Sequence, residues 1–193
     1  GGIASGPSAS DVMDYITIAS TGNATDFGDL TTATQEPAGF SSPTRGIIAG
    51  GNTAPTVVNT IEYITIATTG DATNFGDLTV AGSGAAGSSS QTRGLIMGGM
   101  RPANNVTIDY VTIATTGDAT DFGDLTQARA YNGAVSNSIR AVSAGGNANP
   151  VSLNTNTIDY VDIATTGNAN DFGDLLVATR VIHGASDSHG GIS

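Results

Sequence analysis

The sequence contains no cysteine, no tryptophan and no lysine, and only 5% of its residues are aromatic. Without cysteine there is no disulfide framework, no thiol nucleophile and no thiolate metal ligand; the compartment stays open. Without lysine, the phosphate loop G-x-x-x-x-G-K-[ST] cannot be completed. Six arginines oppose 17 acidic residues, giving a net charge of −11. Nucleic acid requires a basic surface, so no nucleic-acid partner is expected, and an anionic membrane surface is disfavoured for the same reason. No run approaches the ~18–20 apolar residues of a spanning helix, so no membrane insertion is expected. The opening "GGIASGPSAS" is no signal peptide, and a start on glycine rather than methionine is read as processing or trimming.

What the chain has in quantity is glycine (27 of 193 residues), threonine, valine and isoleucine. That composition favours strands and turns. Nearly the same words recur four times. "MDYITIASTGNATDFGDLT" begins at Met13, "IEYITIATTGDATNFGDLT" at Ile61, "IDYVTIATTGDATDFGDLT" at Ile108 and "IDYVDIATTGNANDFGDLL" at Ile158. Tyr15, Tyr63, Tyr110 and Tyr160 are spaced by 48, 47 and 50 residues. A second word, "TRGIIAGG", "TRGLIMGG" and "IRAVSAGG", places Arg45, Arg93 and Arg140 each 15 residues after the preceding FGDL leucine. The whole chain reads as one repeat domain, with units at about 1–44, 45–92, 93–139 and 140–189, and with 190–193 starting a further strand.

A period near 48 fits a four-stranded antiparallel blade. Four strand candidates occur per unit: a short one of small residues ("PAGFSS", "GAAGSSS", "NGAVSNS", "IHGASDS"), the "RGIIAGG" word, the "YITIATT" run, and "GDLTTAT" with its relatives. In "IEYITIAT" both faces carry apolar groups, as expected for sheets stacked between other sheets. Small residues in the first strand suit the narrow axis of a propeller. The expected fold is therefore all-β, a propeller of four-stranded blades. A closed four-bladed ring would bring residues 1–6 beside 181–188; a fragment of a larger propeller is the other arrangement. The atypical terminal repeats favour the ring.

A glycine pair closing the second strand, an early Tyr in the third and a leucine in the fourth resemble kelch repeats. Kelch repeats usually carry a Trp after the Tyr; Phe27, Phe75, Phe122 and Phe172 are candidates for its place. The near-identical "DYITIATTGDATDFGDLT" words also resemble repeats in structural and tail-fibre proteins of marine bacteriophages, which implies a virion component.

The repeated word holds an Asx triplet: Asn23, Asp26, Asp29; Asp71, Asn74, Asp77; Asp118, Asp121, Asp124; Asn168, Asp171, Asp174. It lacks the D-x-D-x-D-G ladder and distal glutamate of a calcium loop, while Asp and Asn are favoured turn residues. Turn formation is the expected role, with no metal and no cofactor. The FGDL aspartate and the Arg of "TRG" are expected to tie one strand or blade to the next. His183 and His189 lie in "HGASDSH", which has no nucleophile elbow, and no catalytic residue is assigned. The expectation is a non-enzymatic structural and recognition module, in a virion or outside the cell. It would bind through its variable segments 52–60, 100–107 and 147–157. Its partners would be other structural proteins of the assembly, a host-surface glycan or protein, or a second copy in a homo-oligomer. A carbohydrate-binding, lectin-like propeller of cellular origin is the alternative.

Overall fold

The computed structural model describes residues 2–3, 9–100, 103–148 and 153–184. The described residues are all-β, with no helix. Strands β1 (Gly2–Ile3), β2 (Ala9–Tyr15) and β3 (Thr25–Thr34) form a first, three-stranded sheet. The second is a four-stranded meander of β4 (Ala38–Ser41), β5 (Arg45–Ala49), β6 (Thr60–Thr65) and β7 (Thr73–Asp77). The third begins in the same way, with β8 (Ala86–Ser89), β9 (Arg93–Met97), β10 (Asn105–Thr112) and β11 (Thr120–Ala130). The fourth comprises β12 (Gly133–Ser136), β13 (Arg140–Ala144), β16 (Thr157–Asp162) and β17 (Asn170–Asp174). Every neighbouring pair within these sheets is antiparallel. The hairpin β14 (Asn147–Ala148) and β15 (Leu153–Asn154) interrupts the fourth sheet in sequence but adds to the edge of the third.

That hairpin shows how consecutive units are laced. The tail of each fourth strand pairs with the residue that follows the next unit's glycine pair: Gln35 with Asn52, Ser83 with Met100, Ala130 with Asn147. The hydrophobic cores lie between sheets. Ile47, Ile61, Phe75 and Leu78 of the second sheet and its margin meet Ile96, Val111 and Ile113 of the third. The opposite face of the third sheet, with Leu95, Met97, Ile108 and Phe122, meets Ala141, Val161 and Ile163 of the fourth. Leu95 and Ile96 point to opposite sides and both are fully buried. This is the physical origin of apolar residues on both faces of one strand.

The first strands are small because they lie against one another. β8 packs between β4 and β12. The Ser89 hydroxyl donates to the Ser41 carbonyl at 2.7 Å, and the Ser136 hydroxyl to the Ser89 carbonyl at 2.7 Å. A Cβ on Gly87 would fall 2.4 Å from the Gly39 carbonyl oxygen.

Two expectations need correction. The Asx triplet is not one turn: its second and third members lie, with Phe-Gly between them, inside β3, β7, β11 and β17, where the GDL words were expected as strand. The pairing there slips, Ile61 opposing Gly76 while Glu62 opposes Asn74. Phe75 is therefore the extra residue of a β-bulge, and the same slip recurs in the other three sheets. The turn is the preceding Thr-Gly-Asx segment. Second, the described part of residues 1–6 does not lie beside 181–184, the described part of 181–188. Gly2 pairs with Ser10 and Ile3 with Ala9, in their own sheet. The glycine pair at 1–2 aligns with Gly50–Gly51 and Gly145–Gly146, after which the chain folds back on the approach to the third strand, as Asn147 does on Asn154. Gly184, in contrast, sits against Ala134 and Val135 of β12. The expected strand start at 190–193 lies outside the described residues.

The bulge phenylalanines report which sheets are covered. Phe27, Phe75 and Phe122 are 9%, 3% and 3% exposed, whereas Phe172 is 56% exposed. Each makes the same edge-to-face contact with its tyrosine, centroids 5.9–6.0 Å apart. Truncating the buried ring in Phe122→Ala should cost about 3–5 kcal/mol in denaturant unfolding. Phe172→Ala should cost less than ~1 kcal/mol. Equal losses at the two sites would contradict this reading of the faces.

Candidate functional site

The residues repeated in every unit converge on the joints between units. At each joint the Phe carbonyl of one unit accepts from the glycine N–H of the next Thr-Gly-Asx turn: Gly70 to Phe27 at 2.7 Å, Gly117 to Phe75 at 2.8 Å, Gly167 to Phe122 at 2.8 Å. Two residues on, Ala72, Ala119 and Ala169 donate to the carbonyls of Asp29, Asp77 and Asp124. The first Asx of the triplet completes the joint. Oδ1 of Asp71, Asp118 and Asn168 accepts the backbone N–H of Asp29, Asp77 and Asp124, each at 3.1 Å. Aspartate and asparagine both offer this oxygen, which explains their interchange. The joint also requires glycine. A Cβ on Gly28, Gly76 or Gly123 would stand 2.3–2.4 Å from the carbonyl oxygen of Gly70, Gly117 or Gly167.

The second Asx has a local task. Oδ1 of Asp121 and Asp171 accepts the N–H of the bulge glycines Gly123 and Gly173. The third, Asp29, Asp77, Asp124 or Asp174, is exposed in every unit, and at the three joints the backbone of Asp29, Asp77 and Asp124, rather than the carboxylate, makes the contact. The Asp29 carboxyl is held above its ordinary value by desolvation, then by the like charges of Asp11, Asp71 and Asp26. Among the described residues no three His, Asp or Glu side chains gather closely enough to hold a metal ion.

The arginines do link units, but to carbonyls rather than to the FGDL carboxylates. Arg45 Nη1 donates to the Ile113 carbonyl at 2.9 Å and Arg93 Nη1 to that of Ile163 at 2.8 Å. Each guanidinium also lies over its own sheet's tyrosine, 4.5 Å from the ring centre. Arg140 stacks in the same way on Tyr160 and pairs instead with exposed Asp162.

A second set of acids was not singled out in the sequence: the residue before each repeated tyrosine. Glu62, Asp109 and Asp159 are buried and accept from the threonine after the preceding FGDL word, Thr31, Thr79 and Thr126. Burial raises the Glu62 carboxyl above its ordinary 4.5, and the bond from the Thr31 backbone opposes this. Asp159 also forms a 2.8 Å ion pair with Arg129, both side chains being fully buried. Desolvation lowers the Arg129 pKa while Asp159 raises it. The other units have no arginine at this position, so the pair marks the joint between third and fourth sheets alone.

A concave feature lies where the first strands begin. Glu36–Gly39, Gly84–Gly87, Tyr131–Ala134 and Val181–Gly184 surround a cavity of about 330 Å³. Four equivalent positions, Glu36, Gly84, Tyr131 and Val181, adopt left-handed φ values of 56–64°. They are joined in series, Gly84 N–H to the Glu36 carbonyl, Tyr131 to Gly84 and Val181 to Tyr131. Among the described residues the arc does not return from Glu36 N–H to Val181. Tyr131 lies across Gly84, and its hydroxyl donates to Glu36 at 3.3 Å. Desolvation, then Glu36, raises the Tyr131 pKa. His183, exposed, is also on the wall; His189 lies outside the described residues. The sequence held one clue to this group: Tyr131 is the only tyrosine outside the fourfold word.

No family model matches the chain, and no curated protein matches it.

Three outcomes follow from the joint chemistry. Asp118→Asn should melt like the parent, as Asn168 does the same work, whereas Asp118→Ala should lose about 1 kcal/mol with or without EDTA. Arg129→Ala leaves Asp159 buried without its cation and should cost about 3–5 kcal/mol; Arg129→Met should cost less. Glu62 takes up its proton at a higher pH when folded than when unfolded. Its contribution is complete below the unfolded value and is lost as pH rises through the folded one. Melting temperature should therefore rise as pH falls from 7 towards 5, and Glu62→Gln should flatten that slope.

Proposed function

We propose that the chain is a non-enzymatic structural and recognition module, its sheets serving as kelch-like blades of a β-propeller or of an arc of one. It would stand in a virion or another extracellular assembly and bind structural proteins of that assembly or a host-surface glycan or protein. The observation that carries this reading is how the repeated polar groups are used: Asx oxygens, Phe carbonyls, arginines and buried acids all serve joints between units. What varies is the connection from the glycine pair to the tyrosine strand. These connections adjoin the cavity rim, because Asn52, Met100 and Asn147 pair with Gln35, Ser83 and Ala130, each next to a rim residue. A rigid scaffold with variable loops at one end is a usual arrangement for recognition. The virion location rests on the resemblance of the repeated words to phage structural repeats.

A carbohydrate-binding module of cellular origin is the second reading. It is favoured by the half-buried Tyr131 beside Glu36 and His183 at the cavity, an aromatic ring with polar neighbours.

A glycan array probed with the fluorescent full chain tests both. Under the first reading, Thr56→Arg and Leu153→Asp, on exposed parts of the connections, weaken binding about tenfold and leave melting unchanged. Loss on Tyr131→Ala with intact loop variants favours the second. Binding that none of these changes affects contradicts both.

A further inference from the structure

The joint between units is formed three times inside the chain, and its two halves are each presented once more with no described residue against them. The donor half belongs to the first sheet. Asn23 stands where Asp71, Asp118 and Asn168 accept an N–H, and Ala24, which stands where Ala72 and Ala119 are buried, is exposed. Asp14, which corresponds to buried Glu62, Asp109 and Asp159, is exposed as well. The acceptor half belongs to the fourth sheet. Phe172 is 56% exposed, and a Cβ on Gly173 would meet nothing within 4 Å, although the same atom on Gly28, Gly76 or Gly123 would strike the next unit.

We infer that these halves bind each other between molecules, the Thr21–Gly22–Asn23–Ala24 turn of one copy seating on the β17 bulge of a second copy, head to tail. The occupant is argued from the chain's own three joints. The face is the one that Gly70, Gly117 and Gly167 cover, so its complement is another Thr-Gly-Asx turn, and the first sheet carries the one that is unseated. Docking gives the Gly22 N–H the Phe172 carbonyl, and the Asp174 N–H the Asn23 Oδ1. Arg140, which has no described unit beyond it, gains the Ile18 carbonyl in place of its exposed pair with Asp162. One element differs. Leu176 replaces the threonine that bonds the buried acid in the other joints, so the joint between copies lacks that hydroxyl bond and is weaker than the internal ones. Because the contact is heterologous, repetition yields a ring or a filament according to the rotation per copy.

Sedimentation velocity of the full chain across a concentration series tests this, with amide exchange at Gly22, Ala24 and Asp174. The expected result is mass above one chain that grows with concentration, and slower exchange at those amides as it does. Phe172→Asp and Asn23→Leu each weaken association about tenfold or more without lowering the melting temperature, since both sites are exposed in the single chain. Asn23→Asp retains association, because Asp71 and Asp118 do the same work. A single-chain mass at every concentration up to the solubility limit overturns the inference, whether those amides exchange freely or are protected by closure within one chain. So does association that Phe172→Asp and Asn23→Leu leave intact.

Discussion

Two glycines from successive units meet backbone to backbone, and the rest of the structure depends on that approach. The bulge glycine of one sheet lies so close to the turn glycine of the next that no side chain fits between them. Only at that separation do the Phe carbonyl, the Asp N–H and the Asp carbonyl reach the N–H groups and the Asx oxygen opposite. The same approach closes the sheets over Phe27, Phe75 and Phe122 and brings arginine within reach of the following isoleucine carbonyl. Stability in such arrays is the sum of what each unit contributes and what each joint adds. Here the units are thin sheets, and their large apolar side chains are buried mainly between neighbours.

This arrangement accounts for an acidic chain with few aromatics. Carboxylates are used in two different ways. Asp109 and Asp159 are buried and accept threonine hydroxyls; the FGDL aspartates face solvent and contribute only their backbone to the joint. A buried acid is tolerated when hydrogen bonds compensate it, and Arg129 adds a full counter-charge at one joint.

The fourfold word, the four-stranded unit and the small first strands were legible in the sequence because each has a period or a composition of its own. The tyrosine spacing alone sets the sheet repeat. The function of the Asx triplet was less legible. Its spacing suggested a turn, but the partner of Asp71 lies 42 residues earlier, in another unit, and no local pattern reveals it. The strand role of the triplet's second and third members was missed for a related reason. Asp and Asn read as turn residues, while the bulge glycine that follows them is set against the neighbouring unit at three joints, a contact no local pattern reveals. Glu36 and Tyr131 were invisible because they are exceptions to the repeat, brought together by the arc of first strands. The variable segments were legible as variable, though residues 101–102 and 149–152 within them lie outside the described residues.

The most direct test of this account compares Gly123→Ala with Gly173→Ala in dilute solution. Both glycines have similar φ values, 145° and 137°, so the intrinsic backbone penalty is nearly shared. They differ in what lies opposite: the Gly167 carbonyl for Gly123, and nothing within 4 Å for Gly173. If the close approach holds the units together, Gly123→Ala will lose about 1–3 kcal/mol more than Gly173→Ala in urea unfolding, the usual cost of forcing an atom into a packed contact. Equal losses would contradict the account, because the penalty would then be one of backbone conformation alone.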